Sequence, residues 1–372
     1  MRARTFYLAV AILLGNGSGS RGEILYTITD LGTLGGTTSS ASAINNNGTI
    51  VGSSATAAVD SKGKAINHAF LWSSGQIHDL GTPQGEVSSG AAAINDLGQI
   101  AGSSSNGTRS HAYRYDHGTF TDLGTLSGTN SSATGINASG QVVGYSETLQ
   151  TNQYGVISHG FIFDQGPMTD VTPGSLNGIV HGINASGQMA IDTYFGDGEE
   201  SLQSFLYQNG QFIHIANSFG AYAIDNAGQV TGTSSTTGHP FLFSGGVKTN
   251  LGGLGQATNP SAINNLGVIV GSAIVSSGAP VAFIEAGPSA VDLNTLVDPN
   301  SGWHLTVANG INDAGQIVGY GINSDGQTHG FLLNSVPEPT ALFLIISSFP
   351  VMMLRRSSRQ SRVRGRDYSS HS

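Results

Sequence analysis

The chain has 372 residues, of which 38% are hydrophobic, a formal net charge of −9 and no cysteine. The lack of cysteine excludes a disulfide framework and a thiolate metal site, while the length allows a large buried core. Between residues 24 and 335, five Lys and Arg face 20 Asp and Glu, which gives a formal charge of −15. Such a surface repels phosphate backbones, so we expect no nucleic-acid partner.

Residues 1–22 have the layout of a secretory signal peptide. Arg2 and Arg4 precede an apolar run at residues 6–14, and small residues follow it. A run of this length forms a signal helix that is too short to span a bilayer. The alternative is a short N-terminal membrane anchor. We expect the rest of the chain to be exported.

One pattern recurs seven times between residues 23 and 335. Each copy has an apolar residue, then Asn or Asp, two variable residues and Gly, as at residues 94–98. The isoleucines that mark the copies are Ile44, Ile94, Ile136, Ile183, Ile224, Ile263 and Ile311, at steps of 50, 42, 47, 41, 39 and 48 residues. The Asn or Asp side chain can bond the backbone two residues on, and Gly accepts a positive φ. The pattern therefore predicts a β-hairpin with a type I turn closed by a bulge.

Two types of short run follow the hairpins and have the residue types of strands. The first type is "HAFLW" and its relatives, at residues 68–72, 111–115, 159–163, 203–207, 239–243, 281–285 and 329–333. The second type resembles "GQIHDLG", at residues 75–81, 118–124, 166–171, 210–215, 246–252 and 289–294. One repeat therefore has four strands.

The repeat is split across the two ends of the array. The seventh HAF-type run has no second run after it, whereas residues 26–32, "YTITDLG", form a second run with no HAF-type run before it. This offset predicts a ring in which the N-terminal strand completes the last repeat. We therefore expect an all-β, seven-bladed β-propeller of four-stranded repeats, closed by the N-terminal strand, which acts as a monomer.

After residue 335 the composition changes abruptly. A Pro-rich spacer leads to an apolar run at residues 341–354 and an arginine-rich tail at residues 355–372. The apolar run predicts a short helix, but 14 residues that include Pro350 are few against the ~20 that usually span a bilayer. Membrane insertion would be marginal and transient, with the arginines on the cytoplasmic side.

The tail resembles the PEP-CTERM sorting signal of exported bacterial proteins, through Val336, Pro337, Glu338 and Pro339 followed by an apolar helix and basic residues. The array at residues 23–335 resembles the HAF-family extracellular repeat, whose name gives the one-letter codes of residues 68–70. The resemblance implies that an exosortase-type enzyme processes the protein near Pro337 and Pro339. It implies a location at the cell surface, at the outer membrane or outside the cell, with membrane anchoring through residues 341–354 before processing. The tail departs from that family in its short apolar run and long basic end.

Repeated histidines and aspartates are the first candidates for chemistry. Five HAF-type runs begin with His68, His111, His159, His239 and His329. A ring of histidines could bind a metal, but equivalent positions on seven blades lie far apart, which favours a structural hydrogen bond. The repeated aspartates Asp30, Asp79, Asp122, Asp170 and Asp292 could suggest glycosidic cleavage, but one per blade favours Asx turns.

The fourth repeat departs from the others. Ile191 replaces the expected Gly, and four acids follow on a Gly-containing stretch: Asp192, Asp197, Glu199 and Glu200. These residues could bind Ca²⁺, although their spacing does not match an EF-hand. The alternative is a solvated acidic insertion. We expect no other cofactor or metal and single out no catalytic residue.

The sequence predicts a binding or structural module, for polysaccharide or another matrix component. The alternative is a polysaccharide hydrolase or lyase on a propeller scaffold, because propellers host both. An enzyme should gather unlike residues in one pocket, while a multivalent binder should present equivalent sites. Adhesion to ice or mineral is a third class, but the Thr residues form no regular ladder.

Overall fold

The computed structural model describes residues 25–152, 155–174, 177–194, 202–255, 257–287 and 289–336. The predicted signal helix, the C-terminal helix and most of the sorting motif lie outside these residues. The chain divides into two units, Met1–Ser335 and Val336–Ser372, and the fold below belongs to the first. Among the described residues, no helix has the length and apolar character needed to cross a membrane.

The described residues form seven antiparallel sheets of four strands, as predicted. Blade 1 contains β2 (Gly35–Ile44), β3 (Ile50–Val59), β4 (Ala65–Ser73) and β5 (Gln76–Gly81). Blade 2 contains β6 (Ser88–Ile94), β7 (Ile100–Ser105), β8 (Ser110–Asp116) and β9 (Thr119–Asp122). Blade 3 contains β10 (Ser131–Ile136), β11 (Val142–Asn152), β12 (Gly155–Phe163) and β13 (Thr169–Asp170). Blade 4 contains β14 (Asn177–Ile183), β15 (Met189–Tyr194), β16 (Leu202–Gln208) and β17 (Gln211–Ile215).

Blade 5 contains β18 (Ser218–Ile224), β19 (Val230–Ser234), β20 (Pro240–Ser244) and β21 (Val247–Asn250). Blade 6 contains β22 (Ala257–Ile263), β23 (Ile269–Ile274), β24 (Pro280–Glu285) and β25 (Ala290–Asp292), with a 3₁₀ turn at Leu293–Thr295. Blade 7 contains β26 (His304–Ile311), β27 (Ile317–Ile322) and β28 (Thr328–Ser335), and its outer strand is β1 (Tyr26–Asp30).

The N-terminal strand closes the ring, which confirms the prediction from the split repeat. Strand β1 pairs antiparallel with β28, with Tyr26 opposite Ser335 and Asp30 opposite Phe331. The first strands of successive blades contact one another around the axis, and β26 of blade 7 contacts β2 of blade 1. The ring therefore has no free seam among the described residues.

The inner hairpins have the predicted turn. In blade 1, Gly48 N–H donates to Asn45 O at 3.0 Å and Asn45 N–H donates to Thr49 O at 3.0 Å. Gly48 has φ 78°, which an L side chain adopts only with strain. The side-chain oxygen of Asn45 accepts the N–H groups of Asn47 and Thr49 at 3.1 and 2.9 Å. The Asn and Gly of the pattern are therefore explained by the turn.

The core lies between adjacent blades. The third residue of the HAF-type run is a fully buried aromatic ring in six blades: Phe70, Tyr113, Phe161, Phe241, Phe283 and Phe331. A Cβ at Gly52 would lie 2.8 Å from the ring of Phe70 and 2.0 Å from Ser40 O. Glycine in the second strand thus lets the ring and the inner strand approach closely.

Candidate functional site

The histidines of the HAF-type runs pair with the repeated aspartates. In blade 1, His68 Nδ1 lies 2.9 Å from a carboxylate oxygen of Asp79 on the neighbouring strand. The other pairs are His111 with Asp122, His159 with Asp170, and His329 with Asp30, at 2.6 to 2.9 Å. Asp79 also accepts the N–H of Gly81, and Asp30, Asp122 and Asp170 accept in the same way two residues on. The structural interpretation of both residue types is confirmed for these four blades.

A hydroxyl group connects several blades to the next one. Ser89 of blade 2 accepts the N–H of Ala69 at 2.8 Å and donates to Gly81 O at 2.6 Å, both in blade 1. Ser131 does the same between blades 3 and 2, and Ser39 between blades 1 and 7. We call this arrangement the hydroxyl bridge. It explains the buried serines near the start of the inner strands.

Of the four acids predicted to bind a cation, Asp192 is described and Asp197, Glu199 and Glu200 lie outside the described residues. Asp192 is buried in strand β15. Its Oδ1 accepts from Ser204 Oγ at 2.7 Å and from the N–H of Ala221 at 3.1 Å, and its Oδ2 lies 2.9 Å from His181 Nε2. The bond from Ala221, on β18, ties blade 4 to blade 5. The calcium site on the acidic loop stays a prediction.

Residues of blades 4 and 5 break the sevenfold pattern around this aspartate. His181 of β14 packs edge-on against Tyr222 of β18, with ring centroids 5.6 Å apart. Burial and then the charge of Asp192 raise the pKa of Tyr222. A His–Asp pair beside a tyrosine is a combination that acid–base catalysis uses. It is the described cluster that comes nearest to the asymmetry expected of an enzyme.

The turns of the inner hairpins form a ring of amide hydrogen bonds around the axis, which we call the amide belt. Asn45 Nδ2 donates to Asn95 O of the next blade at 3.0 Å. The other five bonds, at 2.9 to 3.2 Å, run from Asn95 to Asn137, Asn137 to Asn184, Asn184 to Asp225, Asn264 to Asn312, and Asn312 to Asn45. Six of seven seams thus have the same buried bond.

The belt is interrupted between blades 5 and 6, where Asp225 replaces asparagine. Its Oδ1 accepts the N–H groups of Ala227 and Gln229 at 2.9 and 2.8 Å, as in the other turns. Its Oδ2 is buried and has no hydrogen-bond partner among the described residues. Burial is the main cause that raises the pKa of Asp225, and the charge of Asp313 adds to it. A carboxylate oxygen therefore lies where the other blades have an N–H donor.

A small cavity of about 170 Å³ opens at the axial mouth beside the belt. Its charged lining residues are Asp96, Asp225 and Asp313. Asp96 and Asp313 are already engaged, because they accept the backbone N–H and side-chain amide of Asn46 and Asn265 respectively. Among the described residues, no three His, Asp or Glu side chains group closely enough to hold a metal ion.

A larger groove, of about 740 Å³, lies between blades 1 and 2. One wall is the long hairpin of β3 and β4, whose tip holds Asp60, Lys62 and Lys64. The lining is otherwise mostly hydroxyl and amide groups: Ser53, Ser61, Asn67, Ser88, Ser89, Ser103, Ser104, Ser105, Asn106, Thr108 and Ser110. The volume of the groove falls within the range of ligand sites, while its lining is more polar than the mostly apolar lining of small-molecule pockets.

The tip of this hairpin is fixed by its own aspartate. Asp60 Oδ1 accepts the N–H groups of Lys62 and Lys64 at 2.8 and 2.9 Å. Among the described residues, neither ammonium group has a hydrogen-bond or ion-pair partner, and both side chains are exposed. By contrast, Arg109 is paired with Glu86 at 2.9 Å. The groove therefore has two unengaged cations in a strongly acidic array. This site was not predicted from the sequence, although the 50-residue first step signalled a longer hairpin.

The chain belongs to the family described as "Protein of unknown function (DUF3466)", whose model matches residues 36–241, more than half of the sequence. A search of curated proteins found no match. Among solved structures, the chain is similar to the Pyrococcus horikoshii acylaminoacyl peptidase, with 13% identity and a TM-score of 0.52. The match covers 83% of this chain and 54% of the peptidase, so the chain spans about half the length of that protein.

Two further solved structures are similar at a lower level. The β-propeller domain of the Trilobed protease from Pyrococcus furiosus has 11% identity and a TM-score of 0.48, with 83% of this chain and 93% of that domain covered. Trypanosoma rangeli sialidase has 7% identity and a TM-score of 0.40, with 87% and 57% covered. At such identities, the likeness to the peptidase shows the propeller fold alone.

Proposed function

We propose that this member of the DUF3466 family is an exported propeller that binds polysaccharide, or another polar matrix component, in the groove between blades 1 and 2. The observation that carries the proposal is the lining of that groove. Its hydroxyl and amide groups can both donate to and accept from sugar hydroxyls, and Lys62 and Lys64 add donors at the rim. The open cleft suits a polymer that continues beyond the site.

Export is the second part of the proposal. The signal-peptide layout of residues 1–22 supports translocation. The resemblance of residues 336–372 to a PEP-CTERM signal supports processing by an exosortase-type enzyme near Pro337 and Pro339. The mass of the mature protein's C-terminal peptide tests this step. A C-terminus that ends at Ser372 in protein recovered from the cell exterior would contradict it.

Binding is tested by titrating neutral and acidic polysaccharides into the purified protein. The variant Lys62→Trp places a bulky ring on the groove wall, and we expect at least a tenfold loss of affinity. Asp325→Trp is the matched control, because Asp325 has the same place in the equivalent hairpin of blade 7, where Asn323 holds the turn as Asp60 does. Equal affinities for the two variants would show that the ligand does not enter this groove.

The second candidate function is an enzyme that acts on such a polymer. The His181–Asp192 pair beside Tyr222 favours it, because this cluster occurs on one side of the ring alone among the described residues. The test is release of new reducing ends or unsaturated sugars from the polysaccharide that binds. Product that disappears in His181→Ala, with binding kept, would make the enzyme the better description.

A further inference from the structure

Two buried carboxyl groups that have unpartnered oxygens lie on the same seam, between blades 5 and 6. Asp225 is 3% exposed and Glu285 is 2% exposed. One oxygen of Asp225 and both oxygens of Glu285 have no hydrogen bond among the described residues. Glu86 also has one unpartnered oxygen, but its other oxygen is ion-paired with Arg109. A buried ionised carboxylate without a partner is costly, so such a group favours its protonated form.

At the axial end of the seam between blades 5 and 6, the hydrogen bond of the amide belt is missing. In six seams an N–H donor points at the turn carbonyl of the next blade; at the seventh, the equivalent residue is Asp225 and the next blade's turn residue is Asn264. An ionised carboxylate and a turn carbonyl are both acceptors, so no hydrogen bond can form between them. A protonated carboxyl group can donate, as the asparagines do. Asp313, which lines the same mouth, is acidic and opposes ionisation of Asp225 further.

Farther from the axis, Glu285 occupies a position that is apolar or aromatic in every other blade: Trp72, Tyr115, Phe163, Tyr207, Phe243 and Leu333. Burial raises the pKa of Glu285 to about 8, against a smaller lowering by the backbone of Gly252 in blade 5. The clustered side chains of this seam, among them Leu251 and Ile269, are apolar. No basic group contributes to holding a charge on Glu285.

The seam also lacks the hydroxyl bridge. The bridge needs the backbone N–H of the second residue in the HAF-type run, such as Ala69 or Gly330. In blade 5 that residue is Pro240, which has no N–H. The hydroxyl of Thr258 is bonded instead to Leu254 within its own connection, at 2.9 Å. The belt bond, present at six seams, and the hydroxyl bridge, described at three, are thus absent here. Other hydrogen bonds still cross this seam, since the N–H of Thr258 donates to Gly238 O at 3.2 Å and the N–H of Asn226 to Asn265 Oδ1 at 2.9 Å.

We propose that the seam between blades 5 and 6 is a pH-sensitive joint of the propeller, closed while Asp225 and Glu285 are protonated and loosened when they lose their protons. A group whose pKa is higher in the folded than in the unfolded chain stabilises the fold below the unfolded value. That contribution is lost as the pH rises through the folded value. For Glu285 the window runs from 4.5 to about 8, so loosening falls near neutral pH.

The test measures thermal unfolding of the full chain between pH 5 and pH 9 for four proteins. These are the wild type, Asp225→Asn, which supplies the seventh belt donor, Glu285→Leu, which copies Leu333, and the double variant. Asp325→Asn, on an exposed hairpin, is the control for the change in charge. We expect the wild-type unfolding temperature to fall by several degrees, Asp225→Asn and Glu285→Leu each to reduce the fall, and the double variant to remove most of it.

Hydrogen exchange locates the effect. At pH 8.5, after correction for the intrinsic rate, we expect faster exchange in β20 and β22 of the wild type than at pH 6, and unchanged exchange in β2 and β26 at the ring-closing seam. The double variant should show no such difference. A wild-type pH slope that survives in the double variant would overturn the proposal. So would a rise in unfolding temperature with added CaCl₂ at pH 8 that is lost in Asp225→Asn, because Oδ2 would then hold a metal ion.

Discussion

The seam between blades 7 and 1, where the ring closes, has recurring hydrogen bonds that the seam between blades 5 and 6 lacks. At the closing seam, between blades 7 and 1, Asn312 completes the amide belt, Asn309 donates to Ala41 O at 2.7 Å, and Ser39 forms the hydroxyl bridge. Between blades 5 and 6 the belt bond and the bridge are both missing. The chain crosses both seams, from β1 to β2 at the first and from β21 to β22 at the second, and its two ends are paired inside blade 7.

This contrast relates the hydrogen bonds at a seam to the way in which its two blades are connected. The chain also crosses the closing seam, from β1 to β2, but β1 is held in blade 7 by its pairing with β28. Loss of that pairing together with the seam contacts permits the whole ring to open. Blades 5 and 6 are linked by residues 251–256 and remain close together when their contacts weaken. The seam between blades 5 and 6 can therefore accommodate Asp225, Pro240 and Glu285, because each of these blades is built from consecutive strands, while the closing seam has both the belt bond and the bridge.

The largest expected effect comes from deleting β1, Tyr26–Asp30. The deletion removes the outer strand of blade 7, exposes the edge of β28 and takes away the buried Tyr26. We expect a loss of about 5 kcal/mol or more in the free energy of unfolding. Urea denaturation measures it, and a synthetic peptide of residues 25–32 should restore part of the loss. An unchanged unfolding midpoint would contradict the closure.

The second largest effect is expected when an aspartate is introduced into the amide belt at the closing seam, as Asp225 is present between blades 5 and 6. Asn312→Asp puts an acceptor opposite Asn45 O and Gln316 Oε1, which Asn312 Nδ2 now contacts at 3.1 and 2.8 Å. We expect a loss of about 1–3 kcal/mol at neutral pH, and a smaller loss in acid, where the new carboxyl group can donate. Asn106→Asp is the control, since Asn106 uses its side-chain oxygen alone. Equal losses would mean that the belt donor contributes nothing.

A smaller loss is expected from Ser39→Ala. The hydroxyl of Ser39 accepts the N–H of Gly330 and donates to Gly32 O, so its removal leaves two backbone groups without their partner. We expect about 1–2 kcal/mol in urea denaturation. Ser61→Ala, on the exposed hairpin tip, should change stability little. A neutral result for Ser39→Ala would show that the bridge is dispensable at the closing seam.

The smallest effect concerns the His–Asp pairs. His68→Gln copies Gln203 of blade 4 and replaces the bond to Asp79, which is partly exposed. We expect a loss of under about 1 kcal/mol, measured as a small shift of the unfolding midpoint. His78→Gln on the neighbouring strand is the control. A loss of several kcal/mol would mean that the pair contributes more than a partly exposed bond should.

The fold was accessible from the sequence because its signals are local. The Asn and Gly of the turn, the spacing of the short runs and the split repeat each act within one repeat or at its ends. The roles of His68 and Asp79 followed from the same repetition. These features specify a hairpin, a blade and a closed ring without knowledge of long-range contacts.

The amide belt was not accessible, because a bond from Asn45 to Asn95 depends on how two turns 50 residues apart meet at the axis. The residues that depart from the repeat are visible in the sequence. Asp225 in "AIDNAG", Pro240 in "HPFLF" and Glu285 in "VAFIE" each depart from their repeat, but their common seam emerges only when the blades are placed around the ring. The groove was not predicted, because the length of the β3–β4 hairpin shows only in the 50-residue first step and not in the repeated motif.

The pairing of Tyr26 with Ser335 has a mechanical consequence. The chain enters and leaves the propeller at one corner, and β1 runs antiparallel to β28 from that corner. A force that pulls these two ends apart would load the hydrogen bonds one pair at a time, as in a zipper, instead of shearing all of them together. A force applied at Ser335 alone would instead act on β28, which is paired with β1 on one side and with β27 on the other. The propeller should thus resist tension on a single tether better than tension between its two ends.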